Sequence, residues 1–497
     1  MKKKRLCLVI ALVLLAAVSL AAAYAIPWRS DRDYKKNDTF QHINAGWKAA
    51  EDGTFSVTMD VQLDPTVMES LTVTFDTPAE SPLQVELTIQ GRDAVEAVIP
   101  AGESACTIPV GGWADAYRLT VSGITADPEE TELPLLTVDH GAMPNLRVLY
   151  FLLPLLWGLA FIIYFAWGKA PKMHMVCLSV LLSVGTMLVM VKGVTMFYLW
   201  DEPIHFSNVL CMAGLEGGGG NGYFARFSLW NTGYFPYAAG MAVSNLLGLS
   251  LLTGYRVSLL CNVAFYSMLC TLAVKHAPKY KMTFLCLGCM PICTMLASSF
   301  SYDSMVIGGL LLGTALVLEE LYSPRKITGG KMMAMVIAFG ILTLCKQAYS
   351  IMLLLMLLLP ESKFESRKQR KLFRLYVVLF FVLCMASLAL PDSYGDQKGG
   401  DARFANTDSM GQIALMLKEP VHFFKAFMHE LRQDGPGFFI ETPTMWCVWG
   451  ESAKLGLLAF LLMFFIAPLY RDAQEPSVGL RGKTRLVLLL LFIAPIL

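Results

Sequence analysis

The stretch Trp200-Asp201-Glu202-Pro203-Ile204-His205-Phe206 places two adjacent carboxylates and a histidine at the end of the long apolar segment His174–Trp200. Acidic side chains are costly in hydrocarbon and cheap in water, so the pair marks a point where the chain leaves a membrane. It has three chemical uses there: taking a proton from a hydroxyl, holding a divalent cation, or marking the water interface. Which face of the membrane it meets limits the choice, and topology is therefore read outward from it.

Composition agrees with a membrane chain. Of 497 residues, 55% are hydrophobic and 16% charged, with a mean hydropathy of +0.53. A soluble protein carries about a quarter charged residues. The formal net charge is +1, and the basic residues fall in short scattered clusters, which argues against a nucleic-acid partner. Most of the twelve cysteines lie inside apolar segments, among them Cys177, Cys261, Cys270, Cys345 and Cys384. Cys286 and Cys289 have zinc-like spacing, but no second ligand pair is near them in sequence, so they are read as packing residues.

Charge sets the orientation. Lys2, Lys3, Lys4 and Arg5 precede an uncharged run, Leu6 to Trp28, and hold the N-terminus inside. Residues 1–28 are read as a retained signal anchor; Ala23-Tyr24-Ala25 resembles a signal-peptidase site, with cleavage as the alternative. Val148–Trp167 then returns inward, and His174–Trp200 carries Asp201 and Glu202 to the outer face. Tyr234–Leu252 is apolar but interrupted by Pro236, Gly240, Asn245 and Gly248. A full crossing there would turn Lys275, Lys279 and Lys281, Arg325 and Lys326, and the cluster Lys363–Arg374 outward. The positive-inside rule therefore makes it a re-entrant or interfacial helix.

The remaining expected spans are Tyr255–Val274, Met282–Ser298, Ser304–Leu318, a thin helix pair Met332–Cys345 and Ile351–Leu359, Leu375–Leu390, Leu455–Tyr470 and Leu486–Leu497. Together they give a multi-pass α-helical membrane protein of about 10–11 spans. The last segment is apolar to its final residue, and the native protein is expected to continue beyond it.

Residues 29–146 differ in kind. They are polar and break into alternating runs such as Phe55–Val61, Leu71–Phe75, Leu83–Ile89 and Tyr117–Val121. Short period-two strands separated by Pro, Gly and Asp predict an exported antiparallel β-sandwich. It contains Cys106 as its one cysteine, so it is no disulfide scaffold. A spacer or lid is the plain role for it, and glycan contact the functional one.

On the outer face this topology collects Asp201, Glu202 and His205 in one loop and Asp303 in the turn Ser301-Tyr302-Asp303-Ser304. Lys346 lies in the thin helix pair, and Arg256 sits one turn inside a span. Carboxylates with cations at a membrane boundary suit activation of an acceptor hydroxyl and binding of a lipid-linked phosphate. Each residue also has a bland reading. Asp303 would cap a helix, Arg256 and Lys346 would snorkel to headgroups, and His205 would be a hydrogen-bonded structural residue. The run Gly217–Gly220 has no strand before it and no Lys-Ser/Thr after it, so it is a hinge rather than a phosphate cradle.

An acidic pair outside an early span, a Pro-containing interfacial helix and an Arg-bearing span resemble the GT-C superfamily of integral-membrane glycosyltransferases. Asp201-Glu202-Pro203-x-His205-Phe206, with Ala297, Ser298, Phe300 and Asp303, resembles more specifically a bacterial polytopic membrane-protein family, domain of unknown function 2142. The resemblance runs over about Tyr150 to Leu497. It departs from the family pattern at Trp200, where a proline is common, and at Ser207 and Asn208, where a basic residue is frequent.

The resemblance implies a GT-C-like polytopic domain over residues 147–497 and inverting sugar transfer from a polyprenyl-phosphate donor to a cell-envelope glycan or lipid acceptor outside. It implies Asp201 as the base, with Glu202 and Asp303 orienting the acceptor or holding a divalent ion such as Mg or Mn if one is used. His205, Arg256 and Lys346 would bind substrate or the donor phosphate. The competing readings are a lipid or polysaccharide transporter and a non-catalytic envelope assembly scaffold. No internal repeat of the transporter kind is evident.

Overall fold

A computed structural model describes residues 17, 27–34, 42–89, 93–129, 131–144, 172–191, 202–215, 229–388, 409–433, 482, 484 and 486. The N-terminal anchor apart from residues 17, 27 and 28, the Val148–Trp167 span, Asp201, the glycine run, Leu455–Tyr470 and residues 487–497 lie outside them. The chain divides into two compact units. The first is Met1–Ala160, Met187–Phe227 and Tyr234–Cys261, and the second is Phe161–Thr186, Ser228–Gly233 and Asn262–Leu497.

Among the described residues the first unit contains seven antiparallel strands: β1 Pro27–Tyr34, β2 His42–Ala49, β3 Phe55–Thr74, β4 Leu83–Ile89, β5 Val95–Ile99, β6 Ala105–Ile124 and β7 Leu135–Pro144. They form one network in the order β1-β7-β3-β6-β4-β5, with β2 added on β3. β3 and β6 are each 20 residues long, against a usual strand of about 5–6, and they pair from Phe55–Ile124 to Thr74–Ala105.

Register shifts at Gln62/Thr66 and Met68/Ser70 bend β3, as bulges do. The half before the bend pairs with β2 and the half after it with β7. Two halves of one folded sheet thus face each other over one core that joins Val57, Leu87 and Leu119 to Leu71, Ile108 and Val138. The sequence runs Phe55–Val61 and Leu71–Phe75, read as separate strands, belong to one bent strand up to Thr74. His140 Nδ1 donates to Val67 O at 2.6 Å, fixing β7 to the bend. In the β2–β3 turn, Gly53 takes φ +83°, a conformation only glycine adopts without strain.

The helices are α1 Met173–Val191, α2 Glu202–Met212, α3 Phe235–Leu246, α4 Leu251–His276, α5 Lys281–Gly288, α6 Pro291–Ala297, α7 Asp303–Tyr322, α8 Gly329–Cys345, α9 Arg367–Leu388, α10 Ser409–Lys418 and α11 Pro420–Gln433. Segments within α1, α4 and α7 are long and apolar enough to cross a membrane. α3 has twelve residues, about 18 Å of helix at 1.5 Å per residue, so it is too short to cross a hydrocarbon core of about 30 Å alone.

The expected single span Met282–Ser298 is broken into α5 and α6. Pro291 opens the second piece, because a proline has no N–H to return to the preceding turn. Tyr266 donates its hydroxyl to Gly288 O at 2.8 Å across this break, supplying the partner that a freed carbonyl needs in an apolar setting. The expected helix Ile351–Leu359 is instead a 3-10 helix, Gln347–Leu358. Helices α7 and α8 pack closely through Gly309 and Gly313. A Cβ on Gly309 would stand 2.8 Å from Ala338 O, and one on Gly313 would stand 2.8 Å from the Phe339 ring. This small-xxx-small spacing lets helix backbones approach.

Candidate functional site

Asp303 is the first residue of α7 and Tyr302 holds the N-cap position. The carboxylate therefore sits in the first turn, where the helix dipole favours negative charge, rather than capping the helix as its bland reading holds. The turn before it is tied by side chains. Asp303 N donates to Ser301 Oγ at 3.2 Å, and Ser304 Oγ donates to Ser301 O at 3.3 Å. Asn262 of α4 is fully buried, and its Nδ2 donates to Ala297 O at 2.8 Å and Ser304 Oγ at 3.1 Å. Asn262 thus braces both ends of the Ala297–Ser304 segment.

Lys346 follows α8 as its C-cap. Its Nζ lies 3.6 Å from Asp303 Oδ1, with the two side chains 43% and 37% exposed. The ring centroids of Tyr302 and Tyr349 are 5.9 and 5.8 Å from the ammonium, within cation–π range. Thr232 Oγ1 contacts Cys345 Sγ at 3.9 Å, and a Cβ on Gly233 would come within 2.9 Å of that sulfur. The second unit therefore joins a carboxylate, an ammonium and two tyrosine rings, all accessible. Tyr302, Tyr349, Thr232 and Asn262 are not singled out by the sequence. The one local hint is Tyr349, three residues after Lys346, which is one turn of a 3-10 helix.

The opposite end of α7 is about 24 Å away at Glu319. There Glu319 accepts from His276 Nδ1 at 3.0 Å and pairs with Lys331. Lys363 Nζ donates to Ser323 O and to Arg325 O, the latter at 3.0 Å. Burial pushes the Lys363 ammonium below the usual lysine range, and Glu320 draws it partly back.

In the first unit, Glu202 opens α2 and is fully buried, which overturns its reading as a solvated interfacial carboxylate. His205 Nδ1 is hydrogen-bonded to Tyr234 Oη at 2.5 Å, and Asn208 Nδ2 donates to the same oxygen at 3.4 Å. Phe206 packs edge-on against Tyr255, with centroids 5.3 Å apart. Arg256 is 6% exposed, and its Nη1 donates to Val189 O at 3.0 Å and Met190 O at 3.1 Å. These belong to the last turn of α1, where carbonyls have no helical partner. Arg256 is a buried clamp on a helix end and does not snorkel.

Among the described residues, no three His, Cys, Asp or Glu side chains gather closely enough to hold a metal ion. Cys286 and Cys289 are free thiols.

A family model described as "Predicted membrane protein (DUF2142)" matches residues 221–496, more than half of the chain. No curated protein and no solved structure matches. The matched segment contains Tyr234, Arg256, Asp303 and Lys346, while Asp201, Glu202 and His205 precede it.

Proposed function

We propose, from the premise that this chain belongs to the predicted membrane protein family DUF2142, that it is an integral-membrane glycosyltransferase. It would move a sugar from a polyprenyl-phosphate donor to a cell-envelope glycan or lipid acceptor on the outer face of a bacterial membrane. The proposed architecture is a GT-C-like domain of about 10–11 spans over residues 147–497, an exported β-sandwich over 29–146 and an anchor over 1–28.

The observation that carries this reading is the accessible Asp303–Lys346 pair at one end of α7, 3.6 Å apart. The other end of the same helix bundle holds Lys331, Lys363 and the Arg325–Lys326 turn. With that basic end inside, as the positive-inside rule directs, the pair meets the outer surface. An outer site has no cytoplasmic nucleotide-sugars, so a lipid-linked donor is its natural supply.

In the proposed step the acceptor oxygen attacks the anomeric carbon as the bond to the phosphate oxygen breaks with its electron pair. Asp201 takes the acceptor proton. Asp303 orients the acceptor, or holds a divalent ion if one is used. The Lys346 ammonium offsets the charge growing on the departing polyprenyl phosphate. Arg256, with Nη1 engaged by two carbonyls, serves by positioning the end of α1. His205, held by Tyr234, serves substrate contact from α2.

The test compares polyprenyl-linked sugars in lipid extracts of cells carrying the unaltered chain, Asp201→Asn or Lys346→Ala. The donor should accumulate in both variants. Identical extracts from all three strains would overturn the proposal.

A further inference from the structure

The β-rich region has a solvent-open cavity of mixed polar and apolar lining that the proposed transfer reaction does not use. It measures about 430 Å³ and is lined by Asn44 of β2, Asp60 and Gln62 of β3, Thr88 of β4 and Arg118 of β6, among others. That volume falls within the range of small-molecule sites. Strand register puts four of these residues in a row: Asn44 lies opposite Asp60, Asp60 opposite Arg118, and Arg118 opposite Thr88. At about 4.8 Å between strands the row spans about 14 Å, enough for an oligomer rather than a single ring.

The chemistry of the row selects its ligand. Arg118 Nε donates to Asp60 Oδ1 at 2.7 Å, and Nη2 donates to Oδ2 at 3.4 Å. The pair is self-neutralising, so the row has no net charge with which to attract a phosphate, a nucleic acid or an acidic peptide. Its hydrogen-bonding capacity is not exhausted. A guanidinium has five N–H groups, and Arg118 spends two on Asp60, which leaves about three, while the carboxylate keeps further lone pairs. The amides of Asn44 and Gln62 and the hydroxyl of Thr88 each add donors and acceptors. A surface of zero net charge that offers donors and acceptors side by side complements a ligand whose hydroxyls do both.

We infer that this row is a binding site for a neutral oligosaccharide, separate from the transfer chemistry. It would tether envelope glycan to the β-rich region whether or not the chain transfers sugar.

The full-length protein in detergent can be titrated with fluorescent chitohexaose, maltohexaose and cellohexaose, with heparin as the charged control. At least one neutral hexasaccharide should bind saturably, and Arg118→Gln and Thr88→Val should each weaken it by about tenfold. Ser56→Ala, on the same sheet face outside the cavity, should leave binding unchanged. Thr88→Val keeps a β-branched side chain and the strand's shape, so its loss of binding would not reflect unfolding. Absence of saturable binding by all three neutral probes, tighter binding of heparin, or full binding in both cavity variants would overturn the inference. Binding in a chain that transfers no sugar would overturn the proposed reaction and leave this site standing.

Discussion

Lys346 Nζ stands 3.6 Å from Asp303 Oδ1, so the residue that closes helix α8 faces the residue that opens helix α7. Both side chains keep more than a third of their surface. An ion pair that exposed contributes about 0–1 kcal/mol, too little to explain placing two charges at the end of an apolar helix pair by stability alone. Their accessibility favours use.

Lys346→Ala should therefore leave thermal unfolding in detergent nearly unchanged and lower sugar transfer on the order of a hundredfold, the scale of removing one electrostatic donor. Lys346→Arg should recover part of the loss, because it restores the charge. A fall in unfolding temperature that matches the fall in activity would assign the pair to packing.

Asn262→Ala should act through the Ala297–Ser304 segment. It removes the donor to Ala297 O and Ser304 Oγ in a fully buried position. Leaving those acceptors unpaired costs about 1–3 kcal/mol. Unfolding should come earlier and transfer should fall, since the turn that presents Asp303 loosens. An unaltered melting curve would show that Asn262 does not brace the turn.

Two glycines should respond in opposite senses. Gly309→Ala sets a methyl 2.8 Å from the Ala338 carbonyl oxygen, and overpacking of that kind costs about 1–3 kcal/mol. Gly340→Ala meets nothing within 4 Å and gains helix propensity of up to about 1 kcal/mol. Denaturation of both variants in the same detergent checks the sign of each.

Topology is open to chemical labelling. In a cysteine-depleted background, a cysteine at position 303 should react with an impermeant maleimide added to intact cells, and one at position 368 should react only after lysis. Labelling at 368 from outside would invert the bundle and place Lys346 on the cytoplasmic side.

Much of the architecture was legible because it rests on periodicity and composition. The alternation in Leu83–Ile89 reappears as inward and outward residues of β4, and the apolar runs around Tyr255–Val274 and Ser304–Leu318 became α4 and α7. The misreadings have local causes. The runs Phe55–Val61 and Leu71–Phe75 read as two strands, yet β3 continues through Asp64 and Pro65 with a register shift between Gln62 and Thr66, since a bulge tolerates a proline that a regular ladder does not. Pro291 did signal a break, but its apolar surroundings hid it. Arg256 and Glu202 are buried, which charge alone does not reveal. Charge suggests water, whereas the partners of Arg256 are backbone carbonyls of a helix end, which leave no trace in side-chain pattern. The cavity beside Asp60 and Arg118 depends on cross-strand register, and alternation alone does not reveal register.

Asp201→Asn tests the central claim most directly, because it preserves size and hydrogen bonding and removes proton affinity. In lipid extracts of cells carrying that variant, a polyprenyl-phosphate sugar should accumulate that is consumed in cells carrying the unaltered chain, with turnover lower by roughly two to four orders of magnitude. Identical lipid extracts from the unaltered chain and from the double variant Asp201→Ala, Glu202→Ala would contradict it.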